Sequence, residues 1–170
     1  MKNTISCCDP DFSSSNACLT LAETKRFCLW RVFGNGRRLA WLMLNPSIAN
    51  ATENGNTVKR CIAIAKHNGY TGIEIVNLFP PVSTDPAALE SYDGSDDDEQ
   101  NCAHIARTVA RMEVVLAFGD LNRQDARQQA ALRSVRGIIG DRQVLCIARN
   151  KSGYPKHPQS GRLRVPARPI

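Results

Sequence analysis

The sequence lacks the motifs of several common enzyme classes. It contains no G-x-G-x-x-G and no Walker loop, which argues against a dinucleotide site or a P-loop nucleotide site. No serine stands in a G-x-S-x-G elbow, because Ser47 follows a proline without flanking glycines. The histidines His67, His104 and His157 are isolated and do not show metal-ligand spacing. These absences disfavour nucleotide-dependent, serine-hydrolase and metal-dependent chemistry.

Long apolar runs and paired cysteines are also missing. No apolar run approaches the ~18 residues that a membrane span needs, and the amino terminus has no signal-peptide core, so we expect a cytoplasmic protein. The seven cysteines are odd in number and form no C-x-x-C, which favours reduced thiols over a disulfide framework. A zinc or iron–sulfur site among the four cysteines nearest the amino terminus stays open. The residues themselves indicate no cofactor.

Acidic residues are missing from the end of the sequence. From Arg142 to Ile170 there are seven Lys or Arg and no Asp or Glu, so the remainder of the chain contributes −1 to the net charge of +6. A basic segment on a near-neutral body suggests a polyanionic partner, nucleic acid first. The alternative is a solvated basic tail that only aids solubility. No obligate protein partner and no membrane partner is evident.

The composition indicates one soluble domain. A chain of 170 residues, 42% of them hydrophobic and 22% charged, is long enough to bury a sizeable core without disulfide bonds. Residues 1–24 are rich in serine, carry cysteines and show no clear period, so we interpret them as a poorly specified lead-in. Residues 25–170 then form a single α/β domain, with the basic segment at 142–170.

Apolar patterning predicts strands that alternate with helices. Strand-like runs cover residues 40–45, 72–78, 113–118 and 143–148, and helical patterns cover 58–65, 102–112 and 123–136. This order predicts a three-layer α/β sandwich with a central, mostly parallel, four-stranded sheet. The strand-like run from Arg26 to Phe33, followed by Gly34-Asn35-Gly36, predicts an N-terminal hairpin that leads into the first of these strands.

Polar residues stand at the carboxyl ends of the predicted strands, where α/β sheets bind ligands. Asn45 ends the first strand, and Pro46 makes that corner stiff. Asn77 ends the second, and His157 follows the last. Amides orient water and read hydrogen-bond patterns, and a histidine can stabilise charge on a leaving group. The alternatives are turn residues for both asparagines and a surface turn for His157.

Four short motifs carry a resemblance to a known superfamily. In chain order they are Leu44-Asn45-Pro46-Ser47, Val76-Asn77-Leu78-Phe79-Pro80, Leu116-Ala117-Phe118-Gly119 and His157-Pro158. Their order and spacing resemble those of the uracil-DNA glycosylase superfamily. The chain more closely resembles a bacterial and phage family, domain of unknown function 1643, from Arg26 to Pro158. That resemblance includes the Asn-Pro-Ser-x-Ala corner and the run from Lys151 to Pro158.

The resemblance implies a DNA glycosylase that hydrolyses the N-glycosidic bond of a base flipped out of DNA. Asn45 would hold the attacking water and His157 would donate a hydrogen bond to the departing base. The implied substrate-binding residues are Pro46, Ser47, Asn77, Phe79, Phe118 and Gly119, with Asn77 at the base edge and either phenylalanine stacking on the base. The residues expected to contact phosphates are Lys151, Lys156, Arg162 and Arg164.

The chain departs from the usual family pattern at charged positions. Asn56 stands where the family has an aspartate before Thr57, and the usual arginine near Val82 is missing. Losing both charges favours a base other than plain uracil, such as a modified base, in repair or in defence against phages. Two alternatives stay open: a non-catalytic DNA-binding module on the same fold, and an enzyme acting on free nucleosides. The basic segment argues against the second.

Overall fold

A computed structural model of the chain describes residues 15–19, 24–47, 53–83, 92, 98–160 and 168–169. The strands within them are β1 (Asn16–Leu19), β2 (Arg26–Val32), β3 (Arg38–Met43), β4 (Gly72–Asn77), β5 (Glu113–Leu116), β6 (Leu145–Cys146) and β7 (Arg168–Pro169). The helices are α1 (Asn56–His67), α2 (Asp98–Arg111) and α3 (Ala126–Ile139), and a 3₁₀ helix covers Pro158–Ser160. All seven strands join one sheet in the order β1-β2-β4-β3-β5-β6-β7.

The α/β class is confirmed, but the sheet is mixed and its described strands number seven, whereas a mostly parallel, four-stranded sheet was predicted. The four predicted strands correspond to β3, β4, β5 and β6, which lie side by side and run parallel. Antiparallel strands extend this parallel group, with β2 and β1 on one side and β7 on the other. The strands β1 and β7 were not predicted, because segments of four and two residues are too short to show a strand period.

The predicted N-terminal hairpin is wrong, since β4 lies between β2 and β3. Ile73 of β4 pairs with Arg31 on one side, antiparallel, and with Leu39 on the other, parallel. The Gly34-Asn35-Gly36 turn therefore crosses two strand spacings, roughly 10 Å, instead of one. It passes over Thr71, whose backbone N–H donates to the Arg37 carbonyl oxygen at 2.8 Å.

The composition of β4 explains its central position. All six of its residues are buried, and its apolar side chains face both sides of the sheet, as in strands covered on both faces. Ile73 and Ile75 pack on one face, while Val76 packs on the other. A strand that is buried on both faces lies in the interior of the sheet, where a neighbouring strand on each edge pairs its backbone groups. Placing it at the sheet's edge would leave backbone groups unpaired.

Helices cover the two faces of the sheet and divide the core in two. Helix α1 packs against the face that carries Trp41 and Ile75, through Val58, Cys61 and Ile64. Helices α2 and α3 pack against the opposite face, which carries Leu42 and Val76. The period-2 alternation of β3 and β4 thus assigns each side chain to one helical layer.

Polar groups are buried where α2 meets the sheet. Glu74 in the centre of β4 accepts a hydrogen bond from the Thr108 hydroxyl at 2.6 Å and lies 3.6 Å from the Arg107 guanidinium. His104 stacks on the ring of Phe27, with ring centroids 5.5 Å apart. Burial, and then the positive charge of Arg107, lower the pKa of His104 to about 4. The buried Glu74 carboxylate thus has a cationic partner in Arg107 and a hydrogen-bond donor in Thr108, as a buried charge requires.

The thiols are not all reduced, contrary to the sequence-based expectation. Cys18 is disulfide-bonded, whereas Cys28, Cys61, Cys102 and Cys146 are free. Burial raises the pKa of the Cys28 thiol to about 12, so this thiol is unreactive at neutral pH.

Within the described ranges, no helix has the length and apolarity to cross a membrane.

The turn over Thr71 provides a test of this topology. Gly36 has a φ of 146°, and a Cβ placed there would lie 3.3 Å from the Thr71 side chain. We expect Gly36→Ala to lower the free energy of unfolding by about 1–3 kcal/mol, because alanine is strained in this conformation. Urea unfolding followed by circular dichroism measures the change.

The matched control is Gly137→Ala, in the last turn of α3. A Cβ at Gly137 meets no atom within 4 Å. This variant should gain up to ~1 kcal/mol, since alanine favours the helix. If Gly36→Ala proved as stable as wild type, the turn would not cross over Thr71 as described.

Candidate functional site

A cleft of about 270 Å³ opens at the carboxyl end of β3. Four residues that the sequence predicted for a site line it together: Asn45, Ser47, Phe118 and His157. They come from the β3 corner, from the segment after β5 and from the loop before the 3₁₀ helix, and so are far apart in sequence. Parallel strands bring their carboxyl ends to one edge of the sheet, and this assembles the cleft.

The Asn45 corner is held in one orientation by hydrogen bonds. The Asn45 amide nitrogen donates to the carbonyl oxygen of Ser83 at 2.8 Å and to that of Pro46 at 3.3 Å. The Ser83 N–H donates in return to the Pro46 carbonyl oxygen at 3.0 Å. Both partners of the Asn45 nitrogen are acceptors, so the amide orientation is fixed, and Oδ1 is left as the acceptor of a side chain that lines the cleft. Such an oxygen can accept a hydrogen bond from water.

His157 is half-buried and is held as a neutral donor. The backbone N–H of Gln159 donates to His157 Nδ1 at 3.4 Å, so Nδ1 is the acceptor nitrogen. The neutral ring then carries its proton on Nε2. Burial lowers the pKa of His157 below its ordinary value of 6.5, which keeps the ring uncharged at neutral pH. A neutral imidazole with a proton on Nε2 can donate one hydrogen bond to a ligand in the cleft.

Positive charge is concentrated at the cleft. Arg26 lines it although only 1% of this residue is exposed. Desolvation, and then the nearby charge of Arg31, lower the pKa of Arg26 to about 10, so it is still a cation at neutral pH. Thr57 and Val58, in the first turn of α1, also line the cleft, so the positive end of this helix dipole points toward it. The residues described as lining the cleft include no aspartate or glutamate.

Asn77 lies next to this region but does not line the cleft. It pairs in register with Met43, which lines the cleft, so both side chains lie on the α1 face of the sheet. Asn77 is completely buried, and neither its amide nitrogen nor its amide oxygen has a hydrogen-bond partner in the described structure. Its backbone is fixed instead, since the Asn101 amide nitrogen donates to the carbonyl oxygen of Asn77 at 2.9 Å. A buried amide without a partner is costly, so its retention requires an explanation such as a bound water, an ion or a catalytic role.

Three further predicted residues occupy different positions. Pro46 is buried in the corner and contributes its carbonyl oxygen to the network with Ser83. Gly119 has a φ of 77° and lies beside His157, whose Cβ is 3.9 Å from a Cβ built on the glycine. Phe79 does not reach the cleft: it packs in the core on the α2 and α3 face. Of the two phenylalanines proposed to stack on a base, the structure therefore brings only Phe118 to the cleft.

The predicted phosphate contacts are partly described. Lys151 is exposed and Lys156 is half-buried, next to His157. The Lys156 N–H donates to the Ala148 carbonyl oxygen at 2.8 Å, which joins the loop to the end of the β6 region. Arg162 and Arg164 lie outside the described residues. In the part of the chain that is described, no three His, Cys, Asp or Glu side chains cluster as metal ligands would.

Three of the residues that line the cleft were not identified from the sequence: Arg26, Thr57 and Ser83. Arg26 begins the buried strand β2, and an arginine at the start of an apolar run could have indicated a buried charge with a functional role. Thr57 follows the α1 N-cap, which is Gly55, and only its position in the first helical turn pointed to the cleft. Ser83 contributes through its backbone carbonyl, for which the sequence carries no signal.

Comparisons with known proteins identify a family but no characterised relative. The family described as protein of unknown function (DUF1643) matches residues 26–159. Neither the curated proteins nor the solved structures contain a significant match. The matched range includes β2 to β6 and all the described residues that line the cleft.

The state of His157 can be tested by NMR. We expect the His157 ring to titrate with a pKa below 6.5 and to carry its proton on Nε2 at pH 7, because burial disfavours the charged form. Nitrogen chemical shifts of the ring report both properties. His104, whose pKa is lowered to about 4, is the internal reference for a deeply buried ring. A His157 pKa above 6.5, or a proton on Nδ1, would contradict the geometry described.

Proposed function

Because the chain belongs to the DUF1643 family, whose function is unknown, its activity has to be inferred from the cleft, and we propose that it is a DNA glycosylase. The proposed reaction is hydrolysis of the bond between a base and its deoxyribose, after the nucleotide has flipped out of the DNA. A relationship of the family to the uracil-DNA glycosylase superfamily is part of this proposal. It is supported by the order of the four short motifs.

A single observation carries the proposal. One small cleft combines a fixed amide oxygen at Asn45, a neutral imidazole at His157 and a buried cation at Arg26, without a carboxylate among its described lining residues. This set cannot supply the carboxylate nucleophile or acid of ordinary glycoside hydrolases. It suits a reaction in which the leaving group departs as an anion and water attacks a sugar that is already electron-poor.

Asn45 would place the water. Its Oδ1 accepts a hydrogen bond from the water, whose oxygen then attacks the anomeric carbon as the carbon–nitrogen bond breaks. The electron pair of that bond leaves with the base nitrogen, and the water proton passes to solvent or to the released base. Fixing the water in this position contributes through orientation rather than through proton transfer. The hydrogen bonds from Asn45 to Ser83 and Pro46 make this orientation available before substrate binds.

Arg26 and His157 would stabilise the departing base. As the bond breaks, negative charge develops on the base, and donors already fixed around it are worth most where water is excluded. His157 donates from Nε2, and Arg26 supplies a permanent positive charge. The first turn of α1 adds the positive end of its dipole. The same charges favour a phosphate-bearing substrate.

Asn77 would select the base. Its orphaned amide lies on the cleft side of the sheet but is completely buried, so it would offer its donor pair and its acceptor to the edge of a base only if the residues that cover it move when substrate binds. A site built for hydrogen bonds rejects analogues that leave its groups unpaired. The cleft, at about 270 Å³, is just below the range of roughly 300–1,000 Å³ for ligand pockets, which suits one base. The departures from the family pattern at Asn56 and Val82 favour a modified base.

The role of Asn45 is tested by single-turnover base release. Protein in excess is mixed with DNA oligonucleotides that carry uracil or a panel of modified bases, and released bases are identified by mass spectrometry. We expect Asn45→Ala to slow release of the preferred base by at least ~10²-fold, because the water loses its position. The change should appear in the release rate and not in DNA affinity.

The control for this experiment is Asn35→Ala, an exposed asparagine in the turn between β2 and β3. It should release the base at the wild-type rate. Equal rates for Asn45→Ala and wild type would refute the water-holding role. DNA binding without release of any base would instead favour the non-catalytic module, and hydrolysis of free nucleosides without DNA binding would favour the third class.

Arg26 can be tested separately from folding. We expect Arg26→Ala to slow base release by about 10²–10³-fold, the effect of removing a preorganised donor at a developing charge. Since Arg26 is buried, part of the loss is structural, so millimolar guanidinium is added to the variant. Guanidinium should restore a measurable share of the release rate, because it refills the space with the same charge.

Two comparisons complete the test. Guanidinium should have no effect on wild type, and Arg26→Lys, which keeps the charge, should release the base faster than Arg26→Ala. A folded Arg26→Ala protein that retains the wild-type rate would overturn the role of Arg26.

A further inference from the structure

A second groove lies beside the cleft, between α3 and the loop of residues 149–155. Its volume is about 430 Å³, and we name it the α3 groove. Phe118 lines both the groove and the cleft, so the two sites share one aromatic wall. We propose that the α3 groove binds the unpaired nucleotide next to the flipped one, and this inference rests on the proposed function.

Apolar and aromatic side chains form the floor of the α3 groove. Leu132, Val135 and Ile139 of α3 line it from one side, and Tyr154 lines it from the loop. The rings of Phe118 and Tyr154 pack edge to face, with centroids 6.3 Å apart and planes 67° apart. Base–aromatic stacking is tolerant of sequence, because every base presents a π-face.

Positive charge surrounds this aromatic floor. Arg136 of α3 and Arg149 of the loop line the groove, and the described lining residues include no aspartate or glutamate. The Arg123 guanidinium lies over the Tyr154 ring, 5.7 Å from its centroid. Aromatic rings bordered by arginines are typical of surfaces that bind single-stranded nucleic acid, where the arginines contact the phosphates. This charge complementarity identifies a nucleotide rather than an apolar peptide as the occupant.

The loop is preformed by its own hydrogen bonds. The Asn150 N–H donates to the Tyr154 carbonyl oxygen at 2.8 Å, and the Arg149 guanidinium donates to the Gly153 carbonyl oxygen at 2.7 Å. The Gly119 N–H donates to the Pro155 carbonyl oxygen at 3.1 Å, which ties the loop to the wall of the cleft. Groove and cleft are therefore held in a fixed relation, as consecutive nucleotides on one strand require.

The test measures whether Tyr154 contributes to binding through contact with a base. Fluorescence anisotropy compares binding of a thymidylate strand of about eight nucleotides with binding of the same strand carrying abasic residues at alternate positions. We expect wild type to bind the intact strand about 5- to 100-fold more tightly, the range for loss of stacking. In Tyr154→Leu the ratio of the affinities for the intact and the abasic strand should be smaller, because the variant lacks the ring on which a base would stack.

Two charge variants separate stacking from phosphate contact. Arg136→Gln should weaken binding to both strands equally and reduce the salt dependence, whereas Arg133→Gln should do neither, since Arg133 is on α3 but does not line the groove. A ratio that stays unchanged in Tyr154→Leu, or a wild type that binds neither strand, would overturn the inference.

Base release is measured on the same proteins, so the two proposals fail separately. If no base is released but the Tyr154-dependent ratio is present, the proposed activity is refuted, and the groove remains a site for an unpaired nucleotide but not for the neighbour of a flipped one. If Asn45-dependent release is present but the ratio does not depend on Tyr154, the groove is refuted and the activity stands. Circular dichroism tests whether Tyr154→Leu is folded.

Discussion

The pairing of β4 with strands on both of its edges is the constraint on which the rest of the structure depends. β4 carries buried side chains on both faces, and it pairs antiparallel with β2 on one edge and parallel with β3 on the other. This position aligns Asn77 with Met43 and lets the end of β4 pack against the corner at Asn45. Helix α1 connects β3 to β4, and its first turn is thereby brought to the same edge of the sheet.

The cleft is organised around charge rather than around an acid–base pair. Positive charge from Arg26 and from the first turn of α1 surrounds an amide whose orientation is fixed by backbone carbonyl oxygens. A neutral His157 fits this arrangement, because burial disfavours the charged form of its ring. The arrangement favours anions that form or bind in the cleft, and it links the proposed leaving group to the phosphates of the proposed substrate.

The sequence was informative where structure is local. Buried runs predicted β3 to β6, and the strand-end rule then brought Asn45, Phe118 and His157 together. It failed where pairing is non-local: nothing in residues 26–45 shows that β4 separates β2 from β3. Phe79 went to the opposite face because β4 ends at Asn77, so the alternation no longer holds beyond it. The position of Arg26 follows from the path of β2 across the sheet, which composition does not encode.

The crossing turn at Gly34-Asn35-Gly36 has a consequence for how the chain acquires this fold. During synthesis β2 and β3 emerge first, yet each lacks its common neighbour until β4 has left the ribosome. The two strands cannot close on each other as a hairpin without excluding β4, so early pairing between them is a trap that has to reopen. The nucleus of the sheet must therefore join segments on both sides of α1, which raises the contact order and slows folding.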